Sequence, residues 1–334
     1  MKLHLIVNEN ARIGRKRSVR ELVETVLREA GAEYELHVTR QPGDAKALAR
    51  ELSLPQEEKT VWVVGGDGTL NEAVNGLVIN DSLRFALVPA GSGNDFARGM
   101  GLPQKTEEAL RLLLKTERFR AFDLGRIELL DCLSADEDAE ARSEEDRTTL
   151  SFAGSCGCGY DAEVCYAVNR TSLKKRLNWL HAGKLSYFVT AVRQVFQNPR
   201  FRMTLISNGI SRSFSDVIFA CFMIHPYEGG GLRMAPAANP TDGKLSLVIA
   251  HGISRFRVLT LLPTLLRGTH VKHPEILTFD CAEAEILADR AVHLHTDGEV
   301  AYRSRHFRVS CAPEHLWMPD TTKTPKAPAE ASPN

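Results

Sequence analysis

VWVVGGDGTLNEAVNGL, residues 61–77, decides how this chain is read. Val61 to Val64 make an apolar run without polar alternation, the pattern of a parallel strand covered on both faces. Gly65, Gly66, Asp67, Gly68 and Thr69 interrupt it, and Leu70, Ala73, Val74 and Leu77 then repeat at helical spacing. In an open α/β sheet, ligands bind at such carboxyl-end turns. Glycine lets a ligand approach the backbone, and the free amides of a helix start attract anions. The stretch predicts a phosphate-binding turn, with a ligand-free tight turn as the plain alternative. Asp67 adds a condition, because a carboxylate tolerates a phosphate only with a cation or a donor between them; Mg²⁺ supplies that. The common nucleotide fingerprints fail. No Gly-Lys-Ser/Thr follows, and G-x-G-x-x-G counted from Gly66 or Gly91 meets Asn71 or Phe96 at its third glycine. A second glycine turn, Gly91-Ser92-Gly93-Asn94-Asp95, follows the next strand, so two turns can face one ligand.

Working outward, strands are expected at Leu3–Val7, Tyr34–Thr39 and Phe85–Pro89. Helices are expected after Ser18, where Glu21 completes a capping box, after Pro42, and over Glu107–Leu114. This alternation predicts a three-layer α/β domain over residues 1–122. The pattern then changes to short β-like runs, among them FDLGRIELL, FRMTLIS, KLSLVIAH and AVHLHT, with Asp-Gly turns at 242–243 and 297–298. A mainly β domain is expected over 123–318, interrupted by helical stretches at 172–196 and 253–268. Residues 134–148 read as a flexible acidic insertion and 319–334 as a disordered tail. No signal peptide or membrane-spanning run is expected.

The 334 residues carry 42 Lys+Arg and 42 Asp+Glu, so long-range attraction to nucleic acid is not indicated. Seven cysteines, an odd number, read as reduced thiols. Cys156, Cys158 and Cys165 lack zinc-pair spacing and are expected as small buried residues.

GGDGTLNEAVNGL followed by PAGSGNDFARGMGLP resembles the catalytic domain of the diacylglycerol kinase and sphingosine kinase superfamily, in particular the soluble bacterial lipid kinases. FDLGR at 122–126, GGGLRMAPAANPTDGKLSLVI at 229–249, GTHVKHPEI at 268–276 and HTDGEV at 295–300 extend the resemblance over nearly the whole chain. It implies a phosphofructokinase-like α/β N-terminal domain, a sandwich-like β domain, and an active site between them. It implies ATP held by Gly65, Gly66, Asp67, Gly68, Thr69 and Leu70, with Asn71 and Glu72 beside them, and by Asn8, Thr39 and Ser92. Ser92 stands where the family has threonine and keeps the hydroxyl; NENARIG departs from the family's Asn-Pro-x-Ser-Gly loop.

The family's general base matches Glu299, with Asp67, Asp95 and Asp123 organising Mg²⁺ or the base. From spacing alone, TDGEV is a hairpin turn and the three aspartates are caps or turn residues. The resemblance also implies a structural Mg²⁺ or Ca²⁺ at Asn239, Asp242 and Lys244, against a plain turn there. The expected activity is transfer of the γ-phosphoryl group of ATP to a lipid hydroxyl, with diacylglycerol as the default acceptor. Sphingoid bases, ceramide and phosphatidylglycerol stay open, as do an NAD-kinase-like transferase and a non-enzymatic nucleotide-binding module. The expected setting is cytoplasmic, with transient docking to a membrane; a homodimer stays open. Two helical stretches, one with Leu173, Leu177, Trp179 and Leu180 and one over 253–268, are candidates for that docking, with core packing as the alternative. The basic run RIGRKRSVR, 12–20, is either a headgroup or ATP contact or a solvated loop.

Overall fold

The computed structural model describes residues 2–9, 18–54, 57–135, 148–170, 192–197 and 199–321. The acidic insertion, the tail, most of the basic run and most of the 172–196 stretch lie outside the described residues.

Four parallel strands build the first sheet: β1 (Leu3–Asn8), β2 (Tyr34–Thr39), β3 (Lys59–Gly65) and β4 (Leu83–Pro89), in the order β2-β1-β3-β4. Helices α1 (Val19–Glu29), α2 (Asp44–Ser53) and α3 (Asp67–Val74) make the crossovers. The path runs one way at α1 and the other way at α2 and α3. Right-handed crossovers therefore place α1 on one face and α2 with α3 on the other. Two more helices follow β4: α4 (Asp95–Gly99) and α5 (Thr106–Leu114), the latter packed on α1. The expected capping box is present: Ser18 Oγ accepts from the Glu21 amide at 3.0 Å, and Glu21 Oε2 accepts from the Ser18 amide at 3.4 Å. β3 is buried along nearly its whole length, as its unbroken apolar run requires.

The sheet is completed from both sides of the chain. β5 (Phe119–Phe122) runs antiparallel to the chain's final strand, which pairs in parallel with β4 through Trp317 and Arg84. Sequence reasoning assigned residues 316–318 to the second domain and Pro319 to the tail; all four pair instead in the first sheet, with Leu316 and Met318 in its core. A four-residue strand carries too little periodicity to reveal its partner.

The second sheet is long and folds on itself. It comprises β6 (Gly125–Leu129), β7 (Leu133–Ser134), β8 (Thr148–Phe152), β9 (Ser155–Gly159), β10 (Phe201–Ser207), β11 (Ile210–Met223), β12 (Leu245–His251), β13 (Ile276–Cys281), β14 (Glu283–Thr296) and β15 (Glu299–Cys311). The chain closes with β16 (Leu316–Pro319) in the first sheet. Both faces of β12 are covered. Leu245, Leu247 and Ile249 join the inner core, while Val248 and Ala250 face an outer core under α6 (Tyr160–Arg170) and α7 (Arg255–Leu261). The helix expected over 253–268 tightens to a 3₁₀ turn at Leu262–Leu266, where Pro263 cannot donate an amide. β9, read as a cysteine cluster, is a buried strand pairing with both β11 and β14.

Leu316 is 1% exposed in the first-domain core. Leu316→Ala is expected to lower the free energy of unfolding by roughly 2–5 kcal/mol. Urea denaturation checks it, and a loss below about 1 kcal/mol would mean that the returning strand does not support the first domain.

Candidate active site

The turn after β3 and the turn after β4 meet backbone to backbone. A Cβ built on Gly66 would lie 3.0 Å from the Gly91 Cα, and one on Gly91 would lie 2.6 Å from the Gly66 Cα. Only glycine at both positions permits this approach. Helix α3 starts here, and its first intrahelical bond runs from the Leu70 amide to the Gly66 carbonyl. The amides of Asp67, Gly68 and Thr69 therefore precede the hydrogen-bonded helix and present a positive cradle. Thr69 Oγ1 accepts from Asn8 Nδ2 at 2.9 Å, and Thr39 lies beside Asn8 in the sheet register. Asn8, Thr39 and Thr69 thus gather at one edge of the cradle, as expected. Leu70 is a core side chain, so only its backbone belongs to the site. Glu72 reaches away and accepts from the Gly43 amide at 2.9 Å, anchoring the start of α2.

The two carboxylates of the crevice do structural work. Asp67 accepts from the Asp95 and Phe96 amides, each at 3.2 Å, and so caps α4. Asp95 takes Arg98 at 2.7 Å and the Gly230 amide at 2.6 Å. Asn94, at φ 52°, clamps its own turn by bonding the Gly91 amide and carbonyl. Ser92 stays exposed at the tip. Burial and the neighbouring Asp95 charge push the Asp67 carboxyl up to about 6, against the pull of its two amide donors. Burial raises the Asp95 carboxyl as well.

Across the crevice, Asp297 and Gly298, both at positive φ, turn β14 into β15 and set Glu299 at the start of the return strand. Glu299 Oε1 would lie 3.2 Å from a Cβ on Gly68. The carboxylate therefore stands over the amide cradle. Asp297, absent from the sequence-based site, holds the hairpin. Its Oδ1 accepts from the Gly154 and Ser155 amides at 2.7 and 3.0 Å. Its Oδ2 accepts from the Ala153 amide and from Asn71 Nδ2, both at 3.0 Å. Asn71 thus points at the hairpin rather than at the cradle. One turn along α3, Asn75 exchanges hydrogen bonds with the Ser151 backbone. His225 fills the boundary behind α4, stacked edge-on against Phe96, and burial lowers it to about 4, so it is neutral.

Asp123 is not part of this crevice. Phe122 pairs with Leu316 at the amino end of β4, whereas the glycine turns leave the carboxyl ends. Asp123 accepts from the Gly243 amide at 2.8 Å and lies 3.5 Å from His315. It thereby joins Asn239, Asp242 and Lys244 in one remote loop, where Asp242 accepts from the Lys244 amide at 3.1 Å and Asn239 from Thr241 at 3.0 Å. Asp242 and Gly243 lie at the end of the long connection from β11 to its antiparallel partner β12, so they are not a two-residue hairpin turn.

An apolar pocket with a cavity volume of about 90 Å³ opens beside the crevice, between β11, β12, α6 and α7. Val164, Ile218, Met234, Val258 and Leu261 are among its walls, and Asp161 and Glu228 form its polar end. Both acids contact His295 Nε2, at 3.2 and 3.1 Å. Burial opposes charge on that ring, but Glu228 and Asp161 together push it up to about 9. One loop joins pocket to crevice: Glu228 faces the pocket, and Gly230 bonds Asp95. Asp161, Glu228 and His295 were invisible as a group in the sequence, since 134 residues separate Asp161 from His295.

The fold and site define a two-domain architecture with an anion-binding crevice bounded by both domains. Residues 2–127 match the diacylglycerol kinase catalytic domain, and residues 154–318 match the YegS C-terminal NAD kinase beta sandwich-like domain. A probable lipid kinase, YegS-like, from Chromohalobacter salexigens is 30% identical over 90% of this chain and 88% of its own. A diacylglycerol kinase of Mycobacterium tuberculosis (strain ATCC 25618 / H37Rv) is 27% identical over 72% of this chain and 70% of its own. In fold, a diacylglycerol kinase crystal structure from Bacillus anthracis covers 95% of this chain and 96% of its own, with a TM-score of 0.64 at 18% identity. The chain belongs to the bacterial lipid kinase family with the diacylglycerol kinase catalytic domain, and it is a lipid kinase.

Two outcomes follow from this geometry. Asp297→Asn places an amide donor where one carboxylate oxygen accepts from backbone N–H groups. It is expected to destabilise the protein by about 1–3 kcal/mol and to lower kcat more than the KM for ATP, read by urea denaturation and steady-state kinetics. The second concerns pH. The folded-state pKa of Asp67 is raised, so its stabilising contribution is full below the ordinary value of 3.8 and is lost as pH rises through about 6. Without nucleotide, urea midpoints measured across that window should fall with pH more steeply in the native protein than in Asp67→Asn. Equal slopes would refute the shift.

Proposed function

We propose that this kinase transfers the γ-phosphoryl group of ATP to the hydroxyl of diacylglycerol, yielding phosphatidic acid. The observation that carries the proposal is the Glu299 carboxylate standing over Gly68, with the amide cradle on one side and an apolar pocket opening nearby. The amides of Asp67, Gly68 and Thr69 hold the phosphates. Glu299 takes the proton of the acceptor hydroxyl as its oxygen bonds the γ-phosphorus and the bond to the β-phosphate oxygen breaks, releasing ADP. The acyl chains occupy the pocket, with the glycerol end toward Glu228 and Asp161. A soluble nucleotide acceptor would leave that apolar wall without a partner.

Asp67 and Asp95 suit Mg²⁺. Their carboxyls flank Gly93 within 3.0 and 3.8 Å of its Cβ position, and burial raises both against amide donors and, at Asp95, the Arg98 charge. Bound there between these carboxylates and phosphate oxygens, the ion would neutralise charge on the transferring group. The remote loop of Asn239, Asp242 and Lys244, together with Asp123, is proposed to hold a structural Mg²⁺ or Ca²⁺, since two carboxylates share it. Among the described residues no helix is long and apolar enough to cross a membrane. In this proposal a cytoplasmic enzyme meets its acceptor by peripheral docking.

Labelled ATP incubated with a total lipid extract should place label in phosphatidic acid on thin-layer analysis; label in another lipid would change the acceptor, and label in soluble nucleotide alone would end the lipid assignment. Glu299→Gln is expected to reduce kcat by roughly 10²–10⁴-fold while ATP binding, followed calorimetrically, persists.

A further inference from the structure

The two most exposed large apolar side chains among the described residues are Phe256 and Leu266, at 75% and 64%. They sit on the stretch that walls the pocket. Val258, Leu261, Leu262 and Leu265 turn inward from α7 and the 3₁₀ turn, while Phe256 and Leu266 turn outward. Phe196 packs edge-on against Phe256, with ring centroids 6.1 Å apart, and widens the apolar ridge. Cations surround it. Arg193, Arg255, Arg257, Arg267 and Lys272 are all exposed on these segments. Arg257 pairs with Glu275 at 3.1 Å; among the described residues no acid pairs with Arg255, Arg267 or Lys272. The whole chain is charge-balanced, so this excess is local.

Large apolar groups exposed on the outer side of a pocket wall are costly in water unless something covers them. A second copy of the chain would bring its own cations against these, which opposes two-fold self-association. An anionic bilayer satisfies both features: the rings and leucine enter the headgroup boundary, and the cations meet lipid phosphates. We infer that the ridge of Phe196, Phe256 and Leu266, with its rim of Arg255, Arg267 and Lys272, docks on an anionic lipid surface and opens the pocket toward the acyl chains. This rests on the pocket being the acceptor site.

Cosedimentation with vesicles of phosphatidylcholine, and of equimolar phosphatidylcholine and phosphatidylglycerol, tests it without any turnover. The native protein should favour the anionic vesicles and lose that preference in high salt. Phe256→Ser with Leu266→Ser should weaken partitioning roughly tenfold or more, and Arg255→Gln or Arg267→Gln roughly fivefold each. Phosphorylation of a short-chain diacylglycerol in detergent micelles should be unchanged in these variants, which confirms their folding. Native-like vesicle binding by the double serine variant would overturn the inference. So would a native dimer, seen by light scattering, that the same variant dissociates. If the native protein fails to phosphorylate the micellar acceptor yet shows the vesicle pattern, the acceptor assignment falls and the docking surface stands.

Discussion

The carboxylate of Asp297 is the constraint on which the active-site geometry depends. It accepts four hydrogen bonds at 3.0 Å or less, three from the turn joining β8 and β9 and one from Asn71 on α3. Those partners belong to both domains. Asp297 also occupies the left-handed region at the head of the hairpin that ends in Glu299. The position of the proposed base relative to the phosphate cradle is therefore set by a residue two positions away whose four hydrogen bonds all come from protein groups. A short hairpin held at its head by backbone amides has little freedom to swing. Pre-organisation of this kind lets a carboxylate act without first being ordered.

Charge is handled differently on the two sides of the crevice. On the nucleotide side, Asp67 and Asp95 are partly desolvated and close together, and only amide dipoles and Arg98 oppose their repulsion. This is an arrangement that favours a cation arriving with its phosphates. On the side of the apolar pocket, Asp161 and Glu228 both pair with His295 within the protein. The loop Glu228–Gly230 touches both sets. Filling the pocket and filling the crevice thus act on the same few backbone atoms.

The first domain was legible because its signals are local. The unbroken apolar run of β3, the glycine turn and the Ser18 capping box each depend on residues a few positions apart. The turn in TDGEV was legible as well: Asp297 and Gly298 make it, and it brings Glu299 beside Gly68. What escaped was set by tertiary contact. Asp67 and Asp95 could be listed, but not that the first caps the helix of the second. Asp123 follows a β run that looks continuous, yet the chain changes sheets there, and the residue ends at the far edge of the first sheet. β9 has small side chains because a Cβ on Gly157 would strike Asp161 and His295, at 2.1 and 2.5 Å. Nothing nearby in the sequence announces that crowding.

The closing strand has a consequence for biosynthesis. Its place between β4 and β5 stays vacant until residues 316–319 have emerged, so the nucleotide half cannot finish folding before the strands of the second domain have been made. A nascent chain lacking these residues would carry every crevice residue, Glu299 included, and still leave the edge strand β5 parted from β4. Assembly of the first domain thereby waits on synthesis of the second.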